Sequence, residues 1–320
     1  LKRLLAPSDT SLPIWSRIDA KDRIQIQGPV DRIRTLSATH TLVYAPTHLS
    51  NLDSPLVGYA LHQAGLPPCT YGAGLNLFSN PFMAFFMARL GAYTVDRRKR
   101  HRLYKDVLKA YSTEIIGRGA HSLFYPGGTR SRTGAIETNV KRGLLGTAIA
   151  AWQEGLRDGR DRPEVLVVPV TISSSLVLEA ETLIEDALAV EGKARYIISD
   201  DEFSQPTTVI RFARQLAELD VSVVVRFGSP MDLVGNPVNA DGQSLDGLGN
   251  PFDRRGYVCN ESDRVMADSQ RDRVYTNHLA DAICRAYRRD TVLLPTHVAA
   301  WVGWRCLAMR LPGLDRYRLA

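Results

Sequence analysis

The length and composition of this chain are those of a folded protein. With 320 residues, 44% of them hydrophobic, it can bury a sizeable core, which excludes a disordered tail and allows one large α/β domain. Its formal net charge of +6, with arginine outnumbering lysine, leaves acidic small molecules, anionic membranes and nucleic acid open as binding partners.

Residue spacing argues against several further classes. The four cysteines form neither a CxxC pair nor a metal-ligand pattern, so we expect a reducing compartment and no structural zinc site. No apolar run reaches the roughly 18 residues that a membrane-spanning helix needs, and there is no signal peptide pattern. Because the chain starts at Leu1 rather than Met, we interpret it as a candidate fragment of a longer protein.

The first informative stretch follows a lead-in segment, residues 1–40. A short apolar strand, Leu42 to Ala45, is followed by His48, and Asp53 then stands at a predicted helix start before Pro55. A spacing of five would set His48 and Asp53 about 140° apart on a continuous helix, so a loop is needed to bring them together. Two interpretations remain open: a carboxylate that orients a histidine base, or a helix-capping Asp near an unrelated loop His.

The next elements lead to a basic run. Helical patterns at 55–64 and 78–90 enclose a predicted strand, TYGAG, whose glycines lack the rest of a dinucleotide-binding fingerprint. The strand Ala92 to Val95 is followed by a basic run from Arg97 to Arg102. Like charges this close repel one another, and either solvent or a bound anion must offset that repulsion.

A glycine-rich loop follows the next helix and strand, predicted at 103–117 and 121–126. Its sequence, Gly127 to Gly134, reads GGTRSRTG and combines flexible glycines, hydroxyl groups and two arginines directly after a strand. These features indicate an anion cradle, although the residue order is not that of a Walker loop and a plain Gly-Arg turn is the simpler interpretation.

The second half of the chain supplies more strands and helices. We predict helices at 141–152, 208–219 and 268–289, and buried strands at 164–172 and 221–233. Residues 176–205 are acidic and irregular, and 235–257 form a polar, turn-rich excursion without a visible repeat. The final apolar helix carries Trp301 and Trp304, which suit either a core or a membrane interface.

The alternation of strands and helices predicts an α/β fold with a mainly parallel central sheet flanked by helices. Such folds bind ligands beyond the carboxyl ends of the strands. Four predicted strand ends carry His48 with Asp53, the arginines at 97 and 98, the GGTRSR loop and the Thr171 rim. We therefore predict one catalytic domain at 41–310, with its active site at this edge of the sheet, and a tail at 311–320.

Four segments, in order, resemble the motifs of the glycerolipid acyltransferases. HLSNLD (48–53) is similar to their H-x4-D motif, GAYTVDR (91–97) to the second, YPGGTRSRTG (125–134) to the third and VVPVTI (167–172) to the fourth. The segments AGLNLF, GAYTVDRR and LLPTHVAA are particularly similar to the bacterial glycerol-3-phosphate acyltransferase branch.

This resemblance implies acyl transfer from acyl-CoA or acyl carrier protein to the sn-1 hydroxyl of glycerol 3-phosphate. His48 would be the general base, oriented by Asp53, with no metal and no cofactor. The resemblance also implies a set of residues that bind the phosphorylated acceptor: Arg97, Arg98, Gly128, Thr129, Arg130, Ser131 and Arg132. It further implies a peripheral position on the cytoplasmic face of a membrane, and no nucleic acid as partner.

Two residues depart from the family pattern. The third motif usually has a Glu where this chain has Gly127, and the first of the paired arginines in the second motif is Asp96 here. These departures bear on the identity of the acceptor before they bear on acyl transfer. A lysophosphatidate or other lysophospholipid acyltransferase and a degenerate lipid-binding protein are therefore the alternatives.

Overall fold

The computed structural model describes residues 23–50, 52–78, 81–96, 98–99, 101–131, 134–161, 164–177 and 221–310. The predicted helix at 208–219 and nearly all of the acidic segment lie outside these residues, as do the tail at 311–320 and most of the lead-in segment.

Across the described residues, seven strands form one sheet in the order β1-β7-β6-β2-β5-β3-β4. The strands are β1 (Ile24–Gln27), β2 (Thr41–Pro46), β3 (Thr70–Gly74), β4 (Ala92–Val95), β5 (Ser122–Leu123), β6 (Val165–Ser174) and β7 (Val223–Phe227). Every neighbouring pair is parallel except β6 with β7, which is antiparallel. The predicted mainly parallel α/β sheet is confirmed.

Seven α-helices accompany this sheet within the described ranges. They are α1 (Val30–Thr39), α2 (Asp53–Gln63), α3 (Pro81–Arg89), α4 (Arg102–Gly117), α5 (Arg142–Asp158), α6 (Ser269–Asp290) and α7 (Pro295–Arg310). No single one of them is long and apolar enough to cross a membrane, while α6 and α7 pass that test jointly, as a pair bent by 88°.

The two faces of the sheet each bury an apolar layer. In β2, Val43 and Ala45 face a cluster that includes Trp152 of α5, while Leu42 and Tyr44 face the opposite cluster with α1 and α2. A strand covered on both faces needs apolar residues at every position rather than at alternate ones. This is why β2 and β6 read as unbroken apolar runs.

The N-terminal boundary of the fold differs from the predicted one. β1 pairs in parallel with β7 from Ile24 to Gln27, and Ile33 and Leu36 of α1 are fully buried in the core. Residues 24–39 are therefore part of the sheet and its covering layer, although the sequence analysis assigned them to the lead-in segment.

The excursion after β7 is a series of seven-residue units, so the expectation of no internal repeat was wrong. The units begin at Asp232, Asn239, Asp246, Asp253 and Asn260. In four of them the side-chain oxygen of the first residue accepts the backbone N–H groups two and four positions later. The fourth residue of these same units has a positive φ, which glycine supplies in three and Asp263 in one.

This repeat supports the end of the sheet opposite the carboxyl ends of β2 and β6. Arg32 donates to the carbonyl oxygens of Val238 and Asn239, and Arg254 donates to that of Val165 at 3.1 Å and pairs with Glu164. Residues 164 and 165 lie at the start of β6. The repeat is therefore remote from the predicted site.

Candidate active site

His48 and Asp53 form a hydrogen-bonded pair just beyond the end of β2. The Nδ1 atom of His48 lies 3.0 Å from Oδ2 of Asp53, and both residues are buried. The same Oδ2 accepts the backbone N–H groups of Leu49 (2.6 Å) and Ser50 (2.8 Å). The loop between strand and helix thus folds back on the carboxylate.

The capping interpretation of Asp53 is wrong. The residue at the cap position of α2 is Leu52, and no side chain caps this helix. Asp53 is already the first helical residue, and its carboxylate points back towards the loop that carries His48. The geometry is that of an imidazole held in one orientation with Nδ1–H as donor, which leaves Nε2 as the basic nitrogen.

Tyr125 fixes the plane of the imidazole. Its ring stacks on that of His48, with centroids 4.2 Å apart and an interplanar angle of 28°. Its hydroxyl lies 3.1 Å from Oγ of Ser54. Burial, and then the negative charge of Asp53, raises the pKa of the Tyr125 phenol well above its ordinary value, so the ring remains neutral.

The glycine-rich loop contacts the pair directly. The backbone N–H of Ser131 donates to the carbonyl oxygen of His48 at 2.7 Å, so the first and third motifs meet here. Gly128, with φ of +77°, forms a turn in which its N–H donates to the Tyr125 carbonyl at 3.0 Å. The amide of Gly128 is therefore already used in the turn, whereas Thr129 is exposed and Arg130 is half-buried.

Lys141, which the motifs did not indicate, adds a positive charge beside this loop. The side chain of Lys141 lies against Gly128, and its backbone N–H donates to the Pro126 carbonyl at 2.7 Å. Lys141 is the cap residue of α5, and no side chain caps the N–H groups of that first turn. A lysine directly before the helix that follows a glycine-rich loop was the available signal.

The basic run after β4 is only partly described. Arg97 and Arg132 lie outside the described residues. Arg98 is exposed, and its backbone N–H donates to Oδ1 of Asp96 at 3.0 Å. The N–H of Asp96 in turn donates to the hydroxyl of Tyr104 at 2.7 Å. Asp96, which departs from the family pattern, therefore shapes the turn at the end of β4.

Glu137 is a second residue that the motifs did not indicate. Its Oε1 accepts the backbone N–H of His48 at 3.2 Å. A Cβ atom added to Gly127 would lie 3.1 Å from the same oxygen. Burial raises the pKa of the Glu137 carboxyl. The only hint in the sequence was an acidic residue between the glycine-rich loop and the next helix.

A small apolar pocket adjoins the other side of the pair. Its lining comes from the loop after β2, from α2, from the end of β6 with the residues that follow it, and from the start of β7, and includes Asp53 itself. Oγ1 of Thr47 accepts the N–H of Ile172 at 3.1 Å, which ties β6 to the loop that holds His48. The end of β6 thus reaches the same edge of the sheet as the pair.

Known proteins are similar to this chain in the part that holds the site. A family model described as Acyltransferase matches residues 24–173, which hold the histidine–aspartate pair and the glycine-rich loop. The glycerol-3-phosphate acyltransferases of Haemophilus ducreyi and Pasteurella multocida are each 32% identical over 222 residues, which is 69% of this chain and 25% of theirs. The one from Actinobacillus succinogenes is 33% identical over 63% of this chain and 23% of its own length.

The chain spans about a quarter of the length of these curated relatives. Among solved structures, that of the 1-acyl-sn-glycerophosphate (LPA) acyltransferase PlsC from Thermotoga maritima is similar. It is 13% identical, with a TM-score of 0.38, and the match covers 85% of this chain and 74% of that one.

Proposed function

We propose, from the match of residues 24–173 to the family model described as Acyltransferase, that this chain transfers an acyl group from a thioester to the sn-1 hydroxyl of glycerol 3-phosphate. The observation that carries the proposal is the buried pair of His48 and Asp53, 3.0 Å apart, beside a loop and helix start that gather positive charge. A base next to an anion site suits an acceptor that has both a hydroxyl and a phosphate.

In the proposed reaction His48 acts as a general base. Its Nε2 takes the proton of the acceptor hydroxyl while the oxygen attacks the thioester carbonyl, and Asp53 stabilises the imidazolium that forms. A C–O bond forms, the C–S bond breaks, and the proton passes to the leaving thiolate, which restores neutral His48. The enzyme forms no covalent intermediate. Such base catalysis contributes about 10²- to 10⁴-fold.

The acceptor phosphate is proposed to bind between Arg130, Lys141 and the first turn of α5. That turn has no side-chain cap, and its free N–H groups and helix dipole favour an anion. Thr129, Ser131, Arg97, Arg98 and Arg132 remain proposed contributors, and the amide of Gly128 contributes through the turn that it forms.

The acyl chain of the donor is proposed to approach through the apolar pocket beside Asp53, whose cavity of about 20 Å³ holds about one water molecule, so the pocket must widen to admit the chain. Leu49, Leu52, Leu56 and Ile172 line it, and these side chains can cover hydrocarbon but bind no polar group. This places the thioester carbonyl between the pocket and the phosphate site, within reach of His48. Acyl-CoA and acyl carrier protein both fit this scheme, and no cofactor or metal is part of it.

The test is an acyl transfer assay with four substrate pairs. Acyl-CoA or acyl carrier protein is the donor, glycerol 3-phosphate or its 1-acyl derivative is the acceptor, and release of the free thiol is measured. We expect transfer to glycerol 3-phosphate, and a loss of about 10²- to 10⁴-fold in the His48→Ala variant. The exposed His62→Ala variant is the matched control. Transfer only to the 1-acyl acceptor, or equal activity without His48, would overturn the proposal.

A second measurement tests the phosphate site. We expect Arg130→Ala and Lys141→Ala each to raise the KM for glycerol 3-phosphate about 10- to 150-fold, since a charge-assisted hydrogen bond contributes about 1.5–3 kcal/mol, and to leave the KM for the thioester unchanged. Arg157→Ala, an exposed change at the far end of α5, is the control. Equal effects on both KM values would contradict the assignment.

We also propose that the chain binds peripherally to the cytoplasmic face of a membrane, through α7. None of the residues of α7 is buried, and Trp301, Val302 and Met309 are exposed along a helix that contains Arg305 and no acidic residue. His297 ties this helix to the carbonyl of Ser174, at the end of β6, with 2.8 Å between the atoms. Apolar side chains with arginine suit an anionic lipid interface.

Co-sedimentation with lipid vesicles tests this position. Vesicles that contain anionic phospholipid should retain the chain, and Trp301→Ser with Met309→Ser should release it. Retention by the double variant as strong as that of the wild-type chain would exclude α7 as the contact.

A further inference from the structure

The carboxylate of Glu137 lies beside the pair and has no role in the proposed reaction. Oε2 of Glu137 is buried and, within the part of the chain that the structure describes, has no hydrogen-bond partner. Burying a carboxylate oxygen without a hydrogen-bond partner destabilises the folded state, and more so when the group is charged. A buried group of this kind in a native structure calls for an explanation by function.

The other oxygen of the same carboxylate contacts the main chain of the proposed base. Oε1 accepts the N–H of His48 at 3.2 Å, at the point where the chain leaves β2 and before it turns back to Asp53. The backbone N–H of Ser131 donates to the carbonyl oxygen of His48 at 2.7 Å. Both backbone polar groups of His48 are thus held by residues of the segment that follows β5.

The space for Glu137 depends on Gly127. A Cβ atom there would lie 3.1 Å from Oε1 and 3.4 Å from Cγ of Glu137, closer than most real contacts of this kind. A larger residue at position 127 would displace the carboxylate from His48. The position of the Glu137 carboxylate therefore depends on the absence of a side chain at position 127.

We propose that Glu137 is a positioning residue for His48, which clamps the main chain of the base to the glycine-rich loop through Oε1 and depends on Gly127 for its place. This inference rests on the proposed function, because it assigns His48 as the base. The clamp stabilises the position of the imidazole, while the partnerless Oε2 destabilises the fold. Glu137 thus supports activity at a cost in stability.

Loss of the clamp should lower activity without lowering stability. Loss of a residue with only a structural role would lower stability as well. Glu137→Met fills similar space without a buried charge, so the variant should be at least as stable as the wild-type chain in thermal unfolding. Its kcat should fall about 10- to 100-fold, since a shift of about 1 Å in a catalytic group costs about that much. The KM values for both substrates should change little.

Two further variants test the mechanism of the clamp. Glu137→Gln retains an oxygen that can accept the His48 N–H, so its kcat should stay within about threefold of wild type. Gly127→Ala should lower kcat by displacing the carboxylate, whereas Gly247→Ala, in the repeat and with no atom within 4 Å of an added Cβ, should not. A Met variant with wild-type kcat, or a Gln variant as impaired as Met, would overturn the proposal.

A measurement independent of activity distinguishes failure of this inference from failure of the proposed function. Hydrogen–deuterium exchange at the His48 amide should be faster in Glu137→Met than in the wild-type chain and in Glu137→Gln. Unchanged exchange would refute the clamp whatever the activity of the chain. A wild-type chain that transfers no acyl group would refute the proposed function and, with it, the positioning role of Glu137. The exchange result would then show only that the His48 N–H is bonded to Glu137.

Discussion

Replacing Asp53 by Asn is the most direct test of the catalytic pair, because it removes the charge and keeps the shape. Oδ2 of Asp53 accepts three hydrogen bonds, from Nδ1 of His48 (3.0 Å) and from the N–H groups of Leu49 (2.6 Å) and Ser50 (2.8 Å). The two backbone groups can only donate, so they require an oxygen at this position. The asparagine should therefore turn its oxygen, not its NH₂ group, towards His48, and the imidazole should keep its tautomer.

The magnitude follows from which of these bonds changes during the reaction. The bonds from Leu49 and Ser50 are the same before and during proton transfer, and only the bond from His48 strengthens when the imidazole becomes charged. Exchanging a charged acceptor for a neutral one costs about 1–1.5 kcal/mol, which is about a 5- to 13-fold decrease in kcat. A flipped amide would instead force the wrong tautomer and remove the whole base contribution, about 10²- to 10⁴-fold.

The assay is thiol release from acyl-CoA at saturating glycerol 3-phosphate, with His48→Ala measured beside it. Asp31→Asn, a change at an exposed acid of α1, is the control and should leave kcat unchanged. Wild-type kcat in Asp53→Asn would exclude an orienting role for the carboxylate. A loss as large as that of His48→Ala would refute the reasoning that the backbone donors fix the orientation of the amide.

Three further outcomes follow from the same geometry. Tyr125→Phe should keep kcat near wild type, and Tyr125→Leu should lower kcat about 2- to 12-fold because a stacked ring pair contributes about 0.5–1.5 kcal/mol. A Phe variant as impaired as the Leu variant would instead indicate that the hydrogen bond with Ser54 matters. Asp232→Ala should lower the free energy of unfolding by about 3–5 kcal/mol, since it leaves one buried and three part-buried donors without their acceptor. Asp246→Ala, in an exposed unit of the same repeat, should lower it far less, and equal losses in chemical denaturation would contradict this. Because burial raises the pKa of Glu137, the folded chain holds this proton more tightly than the unfolded chain, so its stability contribution is present below the unfolded pKa and lost as pH rises through the folded one. The Tm of Glu137→Gln relative to wild type should therefore rise as the pH increases above the ordinary glutamate pKa of about 4.3, and a difference independent of pH would refute the charge on Glu137.

Much of the site was open to prediction because its signals are local. The strand before His48, the loop length to Asp53 and the glycine-rich turn after β5 each depend on a few consecutive residues, and parallel strands bring their carboxyl ends to one edge. The repeat that begins at Asp232 is equally local. Its spacing of seven is difficult to recognise in the sequence because the residues between its Asp and Asn positions vary.

The sequence by itself determined the class of fold, the identity of the proposed base and its partner, and the loop that approaches them, since periodicity and motif spacing encode these directly. Only the tertiary structure decided that Asp53 turns back to His48 instead of capping a helix, that Tyr125 stacks on the imidazole, and that Glu137 takes the room left at Gly127. The physical reason is that the Tyr125 and Glu137 contacts with His48 join segments far apart in the chain, and that the contact between His48 and Asp53 depends on the conformation of the loop between them. Their distances depend on strand register and loop conformation together, which no single stretch of residues specifies.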